Sequence, residues 1–283
     1  MPTGMVALPS LKNNKDIHMS STLRVLGCSG GISADLRTTS FLLDHDVLID
    51  AGTGVGDLTL DELKNIHQVF VTHSHLDHIC SLPFMADAVG AARLANNSPP
   101  LQIFGIPETI NALMQHVFND VIWPDFTKLP TIKNPFITLH SLEVGQIIDI
   151  SKDSQKRFIT ALPVDHSIPA VAYAIESDSG TLVFSGDTGR SVEFMKNLNQ
   201  LPKLDHLIIE TSFNDSEEVL AKLSGHLSPA LLAQELAQLK HPKAQVWITH
   251  LKPDGGQSIF EEITGTEGLH QIKDLKRGVE IFF

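Results

Sequence analysis

The stretch Thr72-His73-Ser74-His75-Leu76-Asp77-His78 places four potential metal ligands within six residues, directly behind an apolar run at 68–72. In extended backbone, side chains two residues apart point the same way, so His73 and His75 can grip one ion together. The turn that follows can aim Asp77 and His78 at a second ion. Three imidazoles and a carboxylate suit zinc or a neighbouring borderline metal. Four ligands do not complete two sites, so other parts of the chain must supply more. The candidates end other apolar runs. His166 follows the run that reaches Val164, Asp187 stands in Phe184-Ser185-Gly186-Asp187-Thr188-Gly189, and His250 ends Ile248-Thr249-His250. Strand ends on one sheet edge converge, as a shared site requires.

Outward from the motif, short β-type runs alternate with helical patterns. Strands are predicted at 23–28, 40–43, 47–50, 68–72 and 101–104, with helices at 82–94 and 107–117. The segment 118–135 holds three prolines and reads as irregular. Further strands are predicted at 158–163, 170–175, 181–184, 207–210 and 245–249, with a turn at 177–180. Ser228 is placed to cap a helix with Pro229 at its first position, and Leu232, Leu236 and Leu239 then share one face. Two successive β-rich halves with helices outside predict a layered α/β sandwich in a single domain.

Composition narrows the function. The chain has 283 residues, 42% hydrophobic and 19% charged, which suits a folded domain. A loose N-terminal arm is expected at 1–21, leaving 22–283 as the domain. No run approaches the roughly 20 apolar residues of a membrane helix, and no export signal is evident, which predicts a cytoplasmic protein. The two cysteines, Cys28 and Cys80, are too few for a disulfide framework and are expected to be buried and reduced. A net charge of −12 argues against a grip on long nucleic acid and favours a small anionic substrate drawn to a local cationic site. Of fourteen histidines, His18, His45, His67, His116, His140, His206, His241 and His270 read as ordinary surface or core residues.

The ligand arrangement resembles the metallo-β-lactamase superfamily, whose signature H-x-H-x-D-H is followed by separated His, Asp and His ligands. The resemblance runs from about residue 23 to the end of the chain and implies a four-layer αββα sandwich. It implies that His73, His75 and His166 hold one metal, that Asp77, His78 and His250 hold the other, and that Asp187 bridges them. The ions implied are two divalent cations, zinc first, with manganese or iron as alternatives. Asp50, in Leu48-Ile49-Asp50-Ala51-Gly52, matches the aspartate that orients a ligand histidine.

Fold alone does not choose among hydrolases. His166 lies in Val164-Asp165-His166-Ser167-Ile168-Pro169 and lacks the T-P-G-H pattern of thioester and lactone hydrolases. Glu210, in Ile209-Glu210-Thr211-Ser212-Phe213, and His226, in Gly225-His226-Leu227-Ser228, resemble the Glu/His pair of the phosphodiesterase branch. There the His gives a proton to the leaving oxygen. Residues 116–126, H-x-H-L-D-H and the ending Thr249–Pro253 resemble class II cyclic-nucleotide phosphodiesterases. The implied reaction opens a 3′,5′-cyclic nucleotide to a 5′-nucleotide by attack of a metal-bound hydroxide, with Asp77, His226 and Glu210 as catalytic groups. Asn119 and Trp123 would touch the base or sugar, and a homodimer is compatible. The alternatives are a tRNA 3′-processing endonuclease or another diester or ester metallohydrolase, and after those a non-catalytic nucleotide-sensing module.

Overall fold

Strands Ser40–Leu43 and Val47–Ile49 are buried at every position, the pattern of strands covered on both faces. Their side chains alternate between two cores. Phe41, Leu43, Val47 and Ile49 join a cluster that also holds Tyr173, Phe184 and Ile208. Leu42 and Leu48 turn the other way, towards Leu82, Met85 and Leu113. The second half repeats this division: Val171, Tyr173 and Ile175 face the first cluster, and Ala172 and Ala174 face a third one with Phe194, Leu232 and Ile259. Three cores separate four layers.

The computed structural model describes residues 20–269 and 271–283. The expected arm at 1–21 therefore lies outside the described residues up to position 19, as do His18 and His270. Among them are two seven-stranded sheets. The first has the order Glu280–Phe282, Thr22–Gly27, Ser40–Leu43, Val47–Ile49, Gln68–Phe70, Leu101–Gly105, Ile137–Ser141. The second has the order Lys273–Asp274, Gln245–Thr249, His206–Glu210, Thr181–Phe184, Val171–Ser177, Arg157–Pro163, Ile147–Asp149. Helices Leu60–Asn65, Leu82–Ala95 and Pro107–His116 cover the first sheet. Helices Val192–Leu198, Pro229–Leu236 and Gly256–Gly265 cover the second. The αββα sandwich expected from the motifs is the architecture observed. Among the described residues no helix is long and apolar enough to cross a membrane.

Three local expectations need correction. Ser228 precedes the helix Pro229–Leu236, but its side chain makes no capping bond and its Oγ is buried without a partner. Leu239 lies beyond that helix, although it still packs against the outer core. The cysteines are unpaired but only half-buried; burial, chiefly, pushes the Cys28 thiol up to about 12.

One buried cation ties the sheets at the edge where Arg157–Pro163 begins. Arg157 Nη1 donates to Asp44 Oδ2 at 2.7 Å and Asp46 Oδ1 at 2.8 Å, and Nη2 donates to Asp46 Oδ2 at 2.9 Å. Asp44 and Asp46 lie in the turn between two strands of the opposite sheet. Burial alone raises the Asp46 carboxyl, and the bidentate Arg157 outweighs it, holding that carboxyl below its ordinary value. Removing one partner leaves a buried charge unanswered, so Arg157→Met should cost about 3 kcal/mol in urea unfolding. A depressed folded-state value means the stabilisation is present above the ordinary carboxylate range and is lost as pH falls. The gap between the native chain and the variant should therefore shrink below about pH 4. A loss under about 1 kcal/mol at neutral pH would show the clamp to be dispensable.

Candidate metal centre

Parallel strands of both sheets end at one edge. Val47–Ile49 and Gln68–Phe70 run parallel in the first sheet, and Thr181–Phe184, His206–Glu210 and Gln245–Thr249 run parallel in the second. Their C-terminal ends deliver Asp50, the His73–His78 segment, Asp187, Glu210 and His250. Ligands bind open α/β sheets at such ends. The backbone turns sharply there: Asp50 has φ 55° and His250 φ 64°, values rare outside glycine. Asp50 N still donates to Phe70 O and His250 N to Cys28 O, each at 2.8 Å. Gly186, at φ 60°, lets the Asp187 loop lie against the motif; a Cβ there would sit 3.0 Å from Val171 O.

The ligand atoms form two overlapping groups, each with all members within 4.8 Å of one another. One is His73, His75, His166 and Asp187; the other is Asp77, His78, Asp187 and His250. All seven residues singled out in the sequence lie in these groups, and Asp187 belongs to both. Its Oδ2 is 3.6 Å from His73 Nε2, and its Oδ1 is 3.3 Å from His78 Nε2 and 3.4 Å from His250 Nδ1. His75 Nδ1 and His166 Nε2 are 3.2 Å apart, close to the roughly 3.3 Å edge of a tetrahedron of nitrogens around zinc. His73 Nε2, His78 Nε2 and His250 Nδ1 are buried with no hydrogen-bond partner. Buried polar atoms are normally paired. Three unpaired ring nitrogens converging on one carboxylate fit a divalent metal.

Hydrogen bonds behind the ligands fix which nitrogen is bare. Asp50 accepts from Thr72 N at 2.8 Å, from Thr72 Oγ1 at 2.9 Å and from His78 Nδ1 at 2.7 Å. A hydroxyl carries one proton. Thr72 gives it to Asp50, so its oxygen must accept from His73 Nδ1, 3.0 Å away. Both rings then present an unprotonated Nε2 to the site. His166 does likewise by donating from Nδ1 to Gly225 O at 2.8 Å. Gly225 is itself required: a Cβ there would lie 2.6 Å from Ser167 N. Sequence reading gave Thr72 and Gly225 no role, although each adjoins a residue that it did select.

Charge in the cluster is lopsided. Burial, with His78 beside it, holds His73 well below the usual imidazole range. Burial is also the main reason His250 falls to about 4. His78 behaves oppositely: burial disfavours its charge, but Asp187 and Asp50 lift it well above the ordinary value. Burial opposes charge on Asp187 too, yet the surrounding histidines draw it well below its ordinary value. These buried carboxylates call for a positive charge between them.

Glu210 and His226 stand beside the cluster. Glu210 Oε1 lies 2.6 Å from His226 Nδ1, Thr188 N donates to the same oxygen, and Ser212 Oγ donates to Oε2. The His226 ring stacks on His250 at 5.5 Å and meets His166 edge-on at 5.0 Å. Burial lowers His226, and Glu210 raises it by more, so it lies above the ordinary imidazole value. Asn119 and Trp123 lie in the segment that follows the helix Pro107–His116. The Asn119 side chain accepts from Val121 N and Ile122 N and donates to Gln115 O, so turn chemistry takes up its amide. Trp123 packs on Phe84 and Phe126 at the edge of the outer core. Neither belongs to the metal cluster.

The four layers and this site define a metallo-β-lactamase-fold protein. The crystal structure of the metallo-beta-lactamase fold protein YhfI from Bacillus subtilis superposes with TM-score 0.71 at 19% identity, covering 94% of this chain and 100% of that one. The crystal structure of unliganded yeast PDE1 gives TM-score 0.75 at 22% identity, with coverage of 94% and 100%. In sequence, 3′,5′-cyclic-nucleotide phosphodiesterase 1 of Saccharomyces cerevisiae is 29% identical over 79% of this chain and 68% of its own length. The model of the class-II cAMP phosphodiesterases matches residues 58–254. The chain belongs to that family.

Asp187→Ala should lose at least one equivalent of metal by elemental analysis; a fully loaded variant would refute the shared role. Thr72→Val should weaken metal binding about tenfold or more in a chelator titration, with Thr72→Ser near native. Equal affinities for Thr72→Val and the native chain would remove Thr72 from the account.

Proposed function

We propose that this protein is a dinuclear metal-dependent phosphodiesterase that hydrolyses 3′,5′-cyclic nucleotides to 5′-nucleotides. The observation that carries the reading is the buried Glu210–His226 pair, with His226 packed against two of the metal-cluster rings. His73, His75 and His166 would hold one ion, Asp77, His78 and His250 the other, and Asp187 both. The donor set, rich in imidazole with two carboxylates, suits zinc first and manganese or iron next. Bound there, such ions supply a water acidic enough to be a nucleophile near neutral pH and offset charge on the phosphoryl oxygens.

Hydrolysis joins a water oxygen to phosphorus and breaks the bond to the 3′ oxygen, which must gain a proton. His226 Nδ1 is held by Glu210, so Nε2 is the atom that delivers it. Glu210, anchored by Thr188 N and Ser212 Oγ, favours the protonated ring and fixes its plane. Asp77, with 30% of its side chain exposed, is the cluster carboxylate best reached by the incoming water.

A cationic centre within a chain of net charge −12 favours a small anionic diester over a long polyanion. The interval from His166 to Asp187 supports this. It holds only the strands Val171–Ser177 and Thr181–Phe184 joined by a tight turn, with no long arm for gripping tRNA. Unpaired Cys28 and Cys80 fit the reducing cytoplasm.

Metal-loaded protein should open cyclic AMP or cyclic GMP and leave precursor tRNA intact; cleavage of the tRNA without turnover of either cyclic nucleotide would reverse the assignment. His226→Ala should lower kcat on cyclic nucleotides about a hundredfold or more. It should slow a chromogenic diester with a good leaving group much less, at unchanged metal content. Loss of metal in that variant would instead make His226 a ligand.

A further inference from the structure

Next to the His226 ring opens a cavity of about 290 Å³ that none of the steps above uses. His166 and His226 line it, Leu223 and Leu231 give it apolar wall, and Asp165 and Arg190 bring charge. A larger cavity of about 740 Å³, around Leu36, Phe260 and Leu275, contains none of the seven cluster residues. A third, of about 630 Å³, shares Asp165, His166 and Ser167 with the small one; of the three, the small one is the cavity that His226 lines.

Arg190 is the built feature of this cavity. It closes the loop that begins at Asp187, and its Nε donates to Glu235 Oε1 at 2.8 Å. Glu235 keeps only 4% of its side chain exposed, and its Oε2 has no partner. A carboxylate removed from water strongly holds whatever cation it has, so Glu235 anchors the guanidinium from behind. Only Nε is engaged. The donors on Nη1 and Nη2 make no hydrogen bond among the described residues, and the side chain is 45% exposed. A guanidinium held by one edge presents its remaining N–H groups in a fixed plane. Nothing within the described residues uses them.

The placement of His226 says what would. The group that takes a proton from His226 Nε2 departs on the side of the cavity that His226 lines. When a 3′,5′-cyclic nucleotide opens, the 3′ oxygen carries the ribose and base. At about 290 Å³ the space is at the small end of ligand pockets, roughly 300–1,000 Å³. That suits one nucleoside rather than a chain. Leu223 and Leu231 offer a surface for a flat base.

We infer that Arg190, anchored by Glu235, binds the nucleoside of the substrate, donating from Nη to acceptor atoms of its sugar or base. The inference rests on the cyclic-nucleotide reading and names the residue that turns a general diesterase into one selective for nucleotides. Arg190 touches substrate but takes no part in bond making or breaking, so its effect belongs in KM.

The test compares Arg190→Ala with the native enzyme on cyclic AMP and on bis(p-nitrophenyl) phosphate, which has no nucleoside. KM for cyclic AMP should rise about tenfold or more, as for a lost charged hydrogen bond, while kcat moves less than about twofold. Turnover of the chromogenic diester and metal content should stay near native, while Tm falls because buried Glu235 loses its cation. Calorimetric binding of 5′-AMP should weaken in parallel with KM. Arg190→Lys keeps the charge but loses the fork, and should recover only part of the affinity. Equal losses on both substrates, loss of metal, or no change on either would overturn the role of Arg190 and leave the diesterase reading standing. A native enzyme that cleaves the chromogenic diester but no cyclic nucleotide would overturn that reading, and Arg190's role with it.

Discussion

Asp187 is a buried carboxylate with histidine nitrogens facing each of its oxygens, and the rest of the fold must satisfy its position. His73 and His78 come from the first sheet; Asp187 and His250 come from the second. Their separation is thus the separation of the sheets. Phe41 meets Phe184 edge-on at 4.8 Å and Phe70 meets Tyr173 at 5.7 Å, filling the space between the layers. Val171 N donates to Thr72 O and Tyr173 OH donates to Val71 O, pinning the residues just before the motif to the opposite sheet. Interiors are close-packed and resist small changes of volume. The aromatic core therefore works as a spacer that sets the ligand geometry.

That dependence explains which parts of the site were legible. The His73–His78 segment is local in sequence, so its pattern alone reveals it. His166, Asp187 and His250 were found because each follows an apolar run that could only be a strand. Thr72 and the Gly225 carbonyl act through hydrogen bonds to ligand rings and, for Thr72, to Asp50, and nothing in their residue type announces that. Arg190 and Glu235 are 45 positions apart, and both look like ordinary surface charges until the fold buries one of them. The bonding of Asn119 was not legible either: an Asn followed by an exposed turn finds backbone N–H groups at once.

The strands and helices divide in the same way. Continuous apolar runs such as 40–43 and 181–184 sit between two cores and read clearly. Ile147–Asp149 and Lys273–Asp274 are the outermost strands of the second sheet and only three and two residues long. They have too few residues to show a period and exist because a neighbour supplies a ladder. Helix Gly256–Gly265 begins and ends on glycine just after Pro253, so its propensity argues against it. Ile259 and Ile263, four apart and buried, hold it in place.

Cost and compensation lie at different places in the sandwich. The edge that holds the cluster carries left-handed Asp50 and His250, each a strain of about 1–3 kcal/mol, together with unpaired ring nitrogens and buried carboxylates. Arg157, by contrast, closes a nearly complete hydrogen-bond set with Asp44, Asp46 and Ile150 O. A fold optimised only for stability would not keep the first arrangement. Its logic appears once a cation is considered, since a divalent ion bound only by the folded chain returns binding energy as folding energy. The rise of His78 above the ordinary imidazole value under Asp187 and Asp50 marks the same deficit of positive charge.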